Sequence, residues 1–507
     1  MHTAENAAPE VPIDRLALPH PAGACAIIDH DGRSVTYGEL ETAIAASATA
    51  LAAQGVVAGD RVVIVAENCA LFVAAFLGAA RQGAWAVPVN ARLSDTELDA
   101  ILEHAAPRVV ILTSEASEPA RAHALRLTAR DTATILGAPL MICLNPDARP
   151  EPPATDPRQQ VAAMLYTSGT TGQPKGVMLS HGALRFNALT AARMRGLTGD
   201  DEVLLMLPCT HIMALATVIL AALHAGARLR LLPRFSPAAA LEALASGVTL
   251  MPAVPAMFSQ ILHHLDTTGT TLDAPALRGI GAGGAPLDPG WKARVEARFG
   301  LVLNNGYGLT EAAPGIASTL LGPPRKDGSV GHGYPECELH IDKAGADGIG
   351  ELLVRGPNVM LGYYRNPQAT AEAITADGFL RTGDLARIDP DGAIHIVGRA
   401  KELIIRSGFN VYPPEVEAAL SQCPGVLQVA VTGRAVPGNE EIVAFVIGTA
   451  DLSEAALRAW ARERLTGYKR PQHVVMVPDM PLTAAGKVRK PLLLERYADR
   501  LPPPPPA

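Results

Sequence analysis

The chain has 507 residues, too many for one ordinary hydrophobic core, so two or more domains are expected. Hydrophobic residues make up 48% and charged residues 18% of the chain, which is typical of a folded globular protein and excludes a disordered one. The formal net charge is −7 and no basic stripe stands out, so nucleic-acid binding is not expected as the main role.

Cysteine spacing and the apolar runs bear on the compartment. The 6 cysteines lie far apart and form no CxxC pair, which argues against a disulfide framework or a zinc site and favours a reducing compartment, the cytoplasm. Residues 1–14 contain acidic residues and no apolar run, unlike a signal peptide. The apolar runs at 70–80 and 213–222 are too short for a membrane span, so none is expected.

The first part of the chain alternates predicted helices and strands. Thr36 and Ser94 each stand three residues before a glutamate, which is the capping-box pattern of a helix start. A further helix is predicted over 69–82, where an apolar run ends at Gly83. Apolar strands between these helices favour a parallel sheet. They are predicted at 61–66, 85–89 and 108–113.

The same rhythm returns after a proline-rich connector at 146–157, which predicts a second α/β subdomain. From about Ser329, short strands and Asp-Gly turns predict a small antiparallel sheet or barrel. Residues 399–507 fit a compact α+β domain of about 100 residues. The expected fold class is therefore α/β: a large N-terminal domain of two α/β sheet subdomains plus a small β-barrel, with a small α+β C-terminal domain. The strands of the second subdomain are predicted at 161–165, 203–207, 228–232 and 278–282.

The segment 166–176, YTSGTTGQPKG, concentrates hydroxyl side chains, glycines and one lysine after a predicted buried strand. Glycines let the backbone approach an anion, N–H groups and hydroxyls donate to its oxygens, and the lysine adds a positive charge. The spacing is not that of a Walker P-loop, because Gly169 and Gly172 are too close and Lys175 follows a proline. By itself this segment fits either a phosphate cradle or a surface loop.

Four further segments follow it in an order that resembles the adenylate-forming superfamily, in its acyl-CoA ligase branch. Five ordered matches across most of the chain make the resemblance specific, although Leu380 stands where relatives often carry an aromatic residue. The segments are YTSGTTGQPKG at 166–176, NGYGLTE at 305–311, RTGD at 381–384, GRAKE at 398–402 and PLTAAGK at 481–487.

The resemblance implies ATP and Mg²⁺ as ligands. Tyr307 would stack on adenine, Asp384 would accept the ribose hydroxyls, and Thr310 and Glu311 would serve a phosphate oxygen and Mg²⁺. Thr171 is a second expected magnesium contact. The other residues expected to bind the nucleotide are Thr167, Ser168, Gly169, Thr170, Gly172, Lys175, Gly283, Gly284, Ala285, Asn305, Gly306, Gly308 and Arg399.

The resemblance also implies two steps in one cleft. Lys487 would reach the carboxylate substrate and the α-phosphate during adenylation. A mobile C-terminal domain, 399–507, would then rotate against the N-terminal domain, 1–398, about a hinge near Lys401. Gly408 would afterwards let the pantetheine arm of CoA pass. Arg92 and Lys469 are the expected contacts of the CoA nucleotide.

The acid is expected to be an apolar monocarboxylic acid, aliphatic or aromatic. His211 resembles a residue beside the acyl pocket, a gate between carboxylate and thiol. No aspartate lies between 207 and 220 to pair an amino acid's ammonium, and the expected pocket residues include no arginine or lysine for a second carboxylate. Two alternatives remain: an enzyme that loads a carrier protein, and a non-catalytic relative. A homodimer is left open. The expected pocket residues are Ile212, Met213, Ala282, Gly306 and Ala313.

Overall fold

The computed structural model describes residues 12–168, 174–285, 287–345, 347–406, 409–437, 439–481 and 488–503. The strands, in chain order, are β1 (Cys25–Ile28), β2 (Ser34–Thr36), β3 (Arg61–Ala66), β4 (Trp85–Asn90), β5 (Val109–Leu112), β6 (Arg130–Ile135), β7 (Ala138–Leu144), β8 (Val161–Ser168), β9 (Pro174–Ser180), β10 (Glu202–Leu205), β11 (Arg228–Leu231), β12 (Leu250–Ala253), β13 (Gly279–Gly283), β14 (Leu303–Gly308), β15 (Gly315–Ser318), β16 (His332–Gly333), β17 (Glu338–Asp342), β18 (Gly350–Arg355), β19 (Gly362–Tyr363), β20 (Leu380–Ile388), β21 (Ile394–Arg399), β22 (Ile404–Arg406), β23 (Phe409–Val411), β24 (Val426–Val436), β25 (Asn439–Gly448) and β26 (His473–Met476).

The α-helices, in chain order, are α1 (Tyr37–Ala53), α2 (Ala70–Arg81), α3 (Asp95–Ala105), α4 (Glu118–Arg126), α5 (His181–Arg195), α6 (Ile212–Ala214), α7 (Ala221–Ala225), α8 (Pro237–Ala245), α9 (Pro255–Thr268), α10 (Pro289–Phe299), α11 (Pro367–Ala373), α12 (Pro413–Ser421), α13 (Glu454–Arg464) and α14 (Lys490–Arg496).

Two large mixed sheets form the N-terminal part of the described chain. The 9-stranded sheet has the order β16-β15-β14-β13-β12-β10-β11-β1-β2, and the 8-stranded sheet has the order β19-β9-β8-β4-β3-β5-β7-β6. Their central strands are parallel, as predicted, but β8 and β9, and likewise β14 and β15, are antiparallel. The parallel sheet was predicted from the strands at 61–66, 85–89 and 108–113, and these strands do pair in parallel. The antiparallel pairs, which the sequence analysis did not predict, join strands linked by a short connection without a helical crossover.

The chain passes between the two sheets more often than the sequence indicated. Strands β1 and β2 belong to the 9-stranded sheet, where Ile27 pairs with Leu229. Strands β8 and β9 return to the 8-stranded sheet, where Ala163 pairs with Ala86. Two α/β subdomains are present, but the connector 146–157 does not separate them. Pairing between strands so distant in sequence leaves no local signal.

A helical layer buried in one core joins the two sheets. Residues 70–80 of α2 are all buried, as expected for a helix that is apolar on every face. The same cluster of buried side chains contains Ile64 from β3 and Leu229 from β11. A Cβ on Gly78 would lie 2.6 Å from Cβ of Ser47, so α1 and α2 can approach this closely only with a glycine at that position.

Local sequence patterns correctly predicted the bounds of several helices and strands. Strand β3 has the predicted bounds, and both capping boxes are present at Thr36 and Ser94. Helix α2 ends just before Gly83, which has φ +67°. These features depend on residues a few positions apart, which is why the sequence located them.

The helical stretch after residue 211 contains a π-helical turn, residues 215–220, between α6 and α7. Thr217, inside the turn, donates to the carbonyl of Met213 at 2.8 Å. The guanidinium of Arg195, from the end of α5, donates to the carbonyl of Thr217. Turns of this kind often occur at functional sites.

The smaller units follow the predicted outline with one correction. Strands β17, β18, β20 and β21 form an antiparallel sheet in that order, and the described β17 and β21 do not pair with each other. The predicted barrel is therefore an open sheet. The C-terminal unit has the expected α+β composition, with α12, α13 and α14 packed around β24, β25 and β26. No described helix is long and apolar enough to cross a membrane.

His181 generates a prediction about acid stability. It begins α5, is 6% exposed, and its Nδ1 accepts the backbone N–H of Ile13 at 3.3 Å. Burial lowers the pKa of His181 to about 4, although Asp14 acts in the opposite direction. In the unfolded chain the imidazole protonates near its ordinary pKa of about 6.5, so its contribution is complete above that pH and is lost as the pH falls towards 4.

We expect the free energy of unfolding to fall by about 3 kcal/mol from this group between pH 6.5 and 4. His181→Gln should flatten that part of the pH profile in urea unfolding. The exposed His263 of α9 provides the control, and His263→Gln should leave the profile unchanged. Equal profiles for wild type and His181→Gln would contradict the assignment.

Candidate active site

The central feature of the candidate site is the carboxyl edge of β13 and β14. These parallel neighbours pair Gly283 with Gly306, and crevices at such edges are the usual ligand sites of α/β sheets. A Cβ on Gly283 would lie 3.3 Å from the carbonyl oxygen of Gly306 and 3.4 Å from the Sδ and Cε atoms of Met213. Met213, Gly283 and Gly306, all predicted site residues, therefore lie together, and the two glycines expose backbone with no side chain.

The loop after β14 is held in place by buried amides. Asn187 of α5 accepts the N–H of Gly315 at 2.8 Å and donates to the carbonyl of Ala312 at 3.3 Å. Gly308 packs so tightly that a Cβ would lie 2.0 Å from the carbonyl oxygen of Pro314. This bracing fixes the segment that carries Thr310 and Glu311, and it was not predicted from sequence.

The predicted phosphate segment, 166–176, includes the ends of β8 and β9, which pair antiparallel. Thr167 pairs with Lys175, and Ser168 pairs with Pro174. The ammonium of Lys175 lies 4.9 Å from the ring centroid of Tyr363. Gly169, Thr170, Thr171 and Gly172 lie outside the described residues.

Glu311 lies in a 3₁₀ turn with Thr310, and both are partly buried. Its Oε1 accepts the phenol of Tyr363 at 2.9 Å, and among the described residues it forms no ion pair. Burial, and then the charge of Glu311, raises the pKa of Tyr363, so the phenol stays a donor. A carboxylate with a neutral donor on one oxygen fits Mg²⁺, which prefers anionic oxygen ligands.

Asp384 is held between Tyr307 and Arg399. The phenol of Tyr307 donates to Asp384 Oδ2 at 2.5 Å, and Nε of Arg399 lies 3.0 Å from Oδ1. Burial, and then the charge of Asp384, raises the pKa of Tyr307. The carboxylate is 3% exposed and stands where strand β20 pairs with β21. It is therefore oriented by the protein before any ligand arrives.

Three other predicted contacts have distinct surroundings. Gly284, with φ +79°, and the exposed Ala285 directly follow the end of β13 at the surface. Asn305 is buried instead, and its amide donates to the carbonyl of Ser329 at 3.2 Å. Asn305 thus braces β14 from the side.

His211 immediately precedes α6 and accepts the N–H of Met213 on Nδ1 at 3.3 Å. Its neutral form therefore carries the proton on Nε2. The loop before it is held by Asn68, whose side chain accepts the N–H of Cys209 at 2.7 Å and donates to the carbonyls of Leu207 at 2.9 Å and Leu232 at 2.8 Å. Asn68 comes directly after β3, so a residue of the 8-stranded sheet positions a loop of the other sheet.

Arg92 is anchored on a buried carboxylate that it shares with a second arginine. Glu67 Oε1 accepts Nε of Arg92 at 2.7 Å and Nε of Arg234 at 2.9 Å. Burial acts to raise the pKa of Glu67, but the hydrogen bonds from both arginines hold it below the usual value. Sequence reasoning missed Arg234, although its place just past the carboxyl end of β11 could have indicated it.

The C-terminal unit contributes an aromatic pair that was also missed. Phe409 stacks on Tyr468 with ring centroids 4.6 Å apart, and Phe409 is 54% exposed. Beside them, Lys469 donates to Glu415 at 2.5 Å. The predicted Gly408 and Lys487 lie outside the described residues. Among the described neighbours in the chain, Arg489 donates its N–H to the carbonyl of Pro481 at 2.8 Å.

Comparison with known proteins identifies the family of this chain. Residues 13–364 match the AMP-binding enzyme family, and residues 415–487 match the AMP-binding enzyme C-terminal domain. The chain is 37% identical over 483 residues to feruloyl-CoA synthase from an Amycolatopsis species, covering 93% of this chain and 95% of that relative. It is 36% identical over 480 residues to sulfoacetate–CoA ligase from Cupriavidus necator, covering 91% and 92%.

Among solved structures, ATP-bound MatB from Rhodopseudomonas palustris matches with a TM-score of 0.84 and 30% identity, over 97% of this chain and 100% of that one. The chain belongs to the AMP-binding enzyme family, whose members form adenylates. The resemblance drawn from the five sequence segments is confirmed.

Asn68 generates the second prediction. Asn68→Ala leaves a buried N–H and two buried carbonyls without their side-chain partner, so we expect a loss of about 3 kcal/mol in the free energy of unfolding. The matched control is Asn145→Ala, since Asn145 is exposed and accepts only a local N–H, from Asp147 at 3.1 Å. Urea unfolding measures both. Equal midpoints for the two variants would contradict the role given to Asn68.

Proposed function

We propose that this protein is an ATP-dependent acid–CoA ligase. It joins a carboxylic acid to the α-phosphate of ATP as an acyl-adenylate, releases pyrophosphate, and then transfers the acyl group to the thiol of CoA. The observation that carries the proposal is a set of contacts between the predicted segments: Tyr363 contacts both Lys175 and Glu311, and Tyr307, the residue after Gly306, donates to Asp384.

Each predicted site residue has a proposed task in the first step. Lys175 and the hydroxyls of the phosphate segment bind the β- and γ-phosphates, and Asp384 accepts the ribose hydroxyls. Glu311 and Thr171 would hold Mg²⁺, which when bound would neutralise phosphate charge. Lys487 stabilises the charge that develops at the α-phosphate as the carboxylate oxygen attacks and pyrophosphate leaves.

Two sets of contacts support the proposed division at the hinge. Arg399 pairs with Asp384 of the N-terminal part, whereas Glu402 accepts Lys490 of α14 at 2.9 Å, and Lys490 also lies 3.0 Å from Glu417 of α12. Arg399 and Glu402 are three residues apart, yet Arg399 contacts the N-terminal unit and Glu402 contacts the C-terminal unit. This supports domains 1–398 and 399–507 with a pivot at Lys401.

CoA is favoured as the acceptor because cationic and aromatic groups suit its nucleotide. Arg92 and Arg234 present half-exposed guanidinium groups, and the Phe409–Tyr468 pair offers a flat apolar face beside Lys469. Such groups recognise phosphates and a purine. The pantetheine arm would pass Gly408. Both relatives named above are CoA ligases by name, which also supports CoA over a carrier protein.

The acid is proposed to be an apolar monocarboxylic acid, aliphatic or aromatic. Met213, Gly283 and Gly306 form an apolar pocket wall, while the named relatives use acids as different as ferulate and sulfoacetate and so do not decide the class. The guanidinium of Arg195 donates to the carbonyl of Thr217, one turn beyond Met213, and so brings a cation near this wall. The acid panel should therefore include aryl acids with and without a distal hydroxyl.

The deciding experiment is ATP–pyrophosphate exchange across aliphatic and aromatic acids, with acyl-CoA detected by mass spectrometry in the absence of any carrier protein. Exchange with no acid would refute adenylation, and exchange without acyl-CoA would favour the carrier-loading alternative. Lys487→Ala should abolish exchange while leaving CoA acylation from supplied acyl-adenylate. Equal loss of both steps would contradict the two-conformation mechanism.

Gly306 provides a prediction about acid size. A Cβ there has nothing closer than the carbonyl oxygen of Ala282 at 3.9 Å, so Gly306→Val should fold and narrow the crevice. We expect kcat/KM for the bulkiest accepted acid to fall by about 100-fold, with a short aliphatic acid affected much less. The control is Gly23→Val, in an exposed turn before β1 where a Cβ would have no neighbour within 4 Å. A uniform loss for all acids would contradict this position for the pocket.

A further inference from the structure

Tyr363 lies between two groups to which the proposed function gives separate tasks. Its phenol donates to Glu311 Oε1 at 2.9 Å, and its ring faces the ammonium of Lys175 at 4.9 Å. We propose that Tyr363 is a positioning residue that sets Glu311 for the magnesium ion of Mg²⁺·ATP and holds Lys175 at the phosphate segment. The inference rests on the proposed function and names a residue that none of the five sequence segments contains.

The backbone of Tyr363 is fixed from two directions. Strand β19 is the edge strand beside β9, and Tyr363 pairs there with Val177, two residues after Lys175. On the other side its N–H donates to Thr370 Oγ1 of α11 at 2.9 Å. The ring therefore has a defined place relative to the start of β9, although it follows Lys175 by almost two hundred positions in the chain.

The phenol orients Glu311 without neutralising it. A neutral O–H uses one lone pair of Oε1 and leaves Oε2 with its full acceptor capacity. An arginine or lysine at this place would form an ion pair and compete with a divalent cation for the carboxylate. The charged groups that face Glu311 are Lys175, across the ring, and Arg399, which already pairs with Asp384.

The ring has a second, separable effect. A lysine ammonium over an aromatic face is attracted by its quadrupole, and this attraction does not need the hydroxyl. Removing only the hydroxyl should therefore impair the magnesium-dependent part of ATP binding. Removing the ring as well should also weaken the part that depends on Lys175 alone.

Tyr363→Phe and Tyr364→Phe form a matched pair. Tyr364 is the next residue, and its phenol donates to Glu151 at 2.6 Å, away from Glu311. Isothermal titration calorimetry with a non-hydrolysable ATP analogue measures binding with increasing Mg²⁺, independently of turnover. For Tyr363→Phe we expect the half-saturating Mg²⁺ concentration to rise about tenfold, with binding in EDTA unchanged. Tyr364→Phe should match wild type, and Tyr363→Leu should also bind more weakly in EDTA.

Two outcomes would overturn the inference. One is equal Mg²⁺ dependence for Tyr363→Phe and Tyr364→Phe. The other is weaker binding of Tyr363→Phe at every Mg²⁺ concentration, EDTA included, which a merely structural role would produce. Thermal unfolding of both variants verifies that they fold. Wild-type protein that binds no nucleotide would refute the proposed function itself, so the two failures are distinguishable.

Discussion

The polar turn after β3 is the constraint on which the arrangement of the two sheets depends. Within four residues, Glu67 binds two arginines, Asn68 binds the loop before His211, and the N–H of Ala70 donates to Asp29 at 3.0 Å. Asp29 follows β1, which belongs to the 9-stranded sheet, whereas β3 belongs to the other. Each buried polar group here satisfies a partner in the opposite sheet, so sliding the sheets would leave several groups unpaired at once.

Two tyrosines do similar work at the crevice. Tyr307 of β14 donates to Asp384 in the small antiparallel sheet, and Tyr363 of β19 donates to Glu311 beyond the end of β14. Both phenols hold a carboxylate without removing its charge. Asp384 already has Arg399 as its ion-pair partner, whereas Glu311 forms no ion pair among the described residues and can complement a cation that arrives with the nucleotide. This arrangement is consistent with a site that must release its products after each turnover.

What the sequence predicted was local. Strand β3 and the two capping boxes follow from residues a few positions apart, and the five segments identified the family because their order is specific. Pairing of β1 with β11 has no such signal, since about two hundred residues separate the strands. The same is true of Tyr363, which owes its place to the pairing of β19 with β9 and not to any neighbour in the chain. Arg234 is an intermediate case, because its place just past β11 could be predicted from sequence but its pairing with Glu67 could not.

Contacts between side chains were the least predictable part of the site. Asn305 stands inside a family segment, yet its side chain points to Ser329 and braces the strand. Arg92 was expected to meet a ligand phosphate, and the sequence could not indicate that it shares Glu67 with a second arginine. A motif specifies which residues are near a ligand. Which of them contact it and which support the others depends on the packing around them.

The π-helical turn at 215–220 separates the orientation of Met213 from that of α7. An α-helix advances about 100° per residue. Deleting one residue from the turn would restore regular α-helical hydrogen bonding and rotate Met213, at the crevice, relative to the buried side chains of α7. Under the proposed function, insertion or deletion of one residue here would turn Met213 relative to α7 and alter the acid pocket, and a deletion would also remove a buried side chain, since all six residues of the turn are buried. The number of residues in this turn would then affect specificity, as the size of a pocket side chain does.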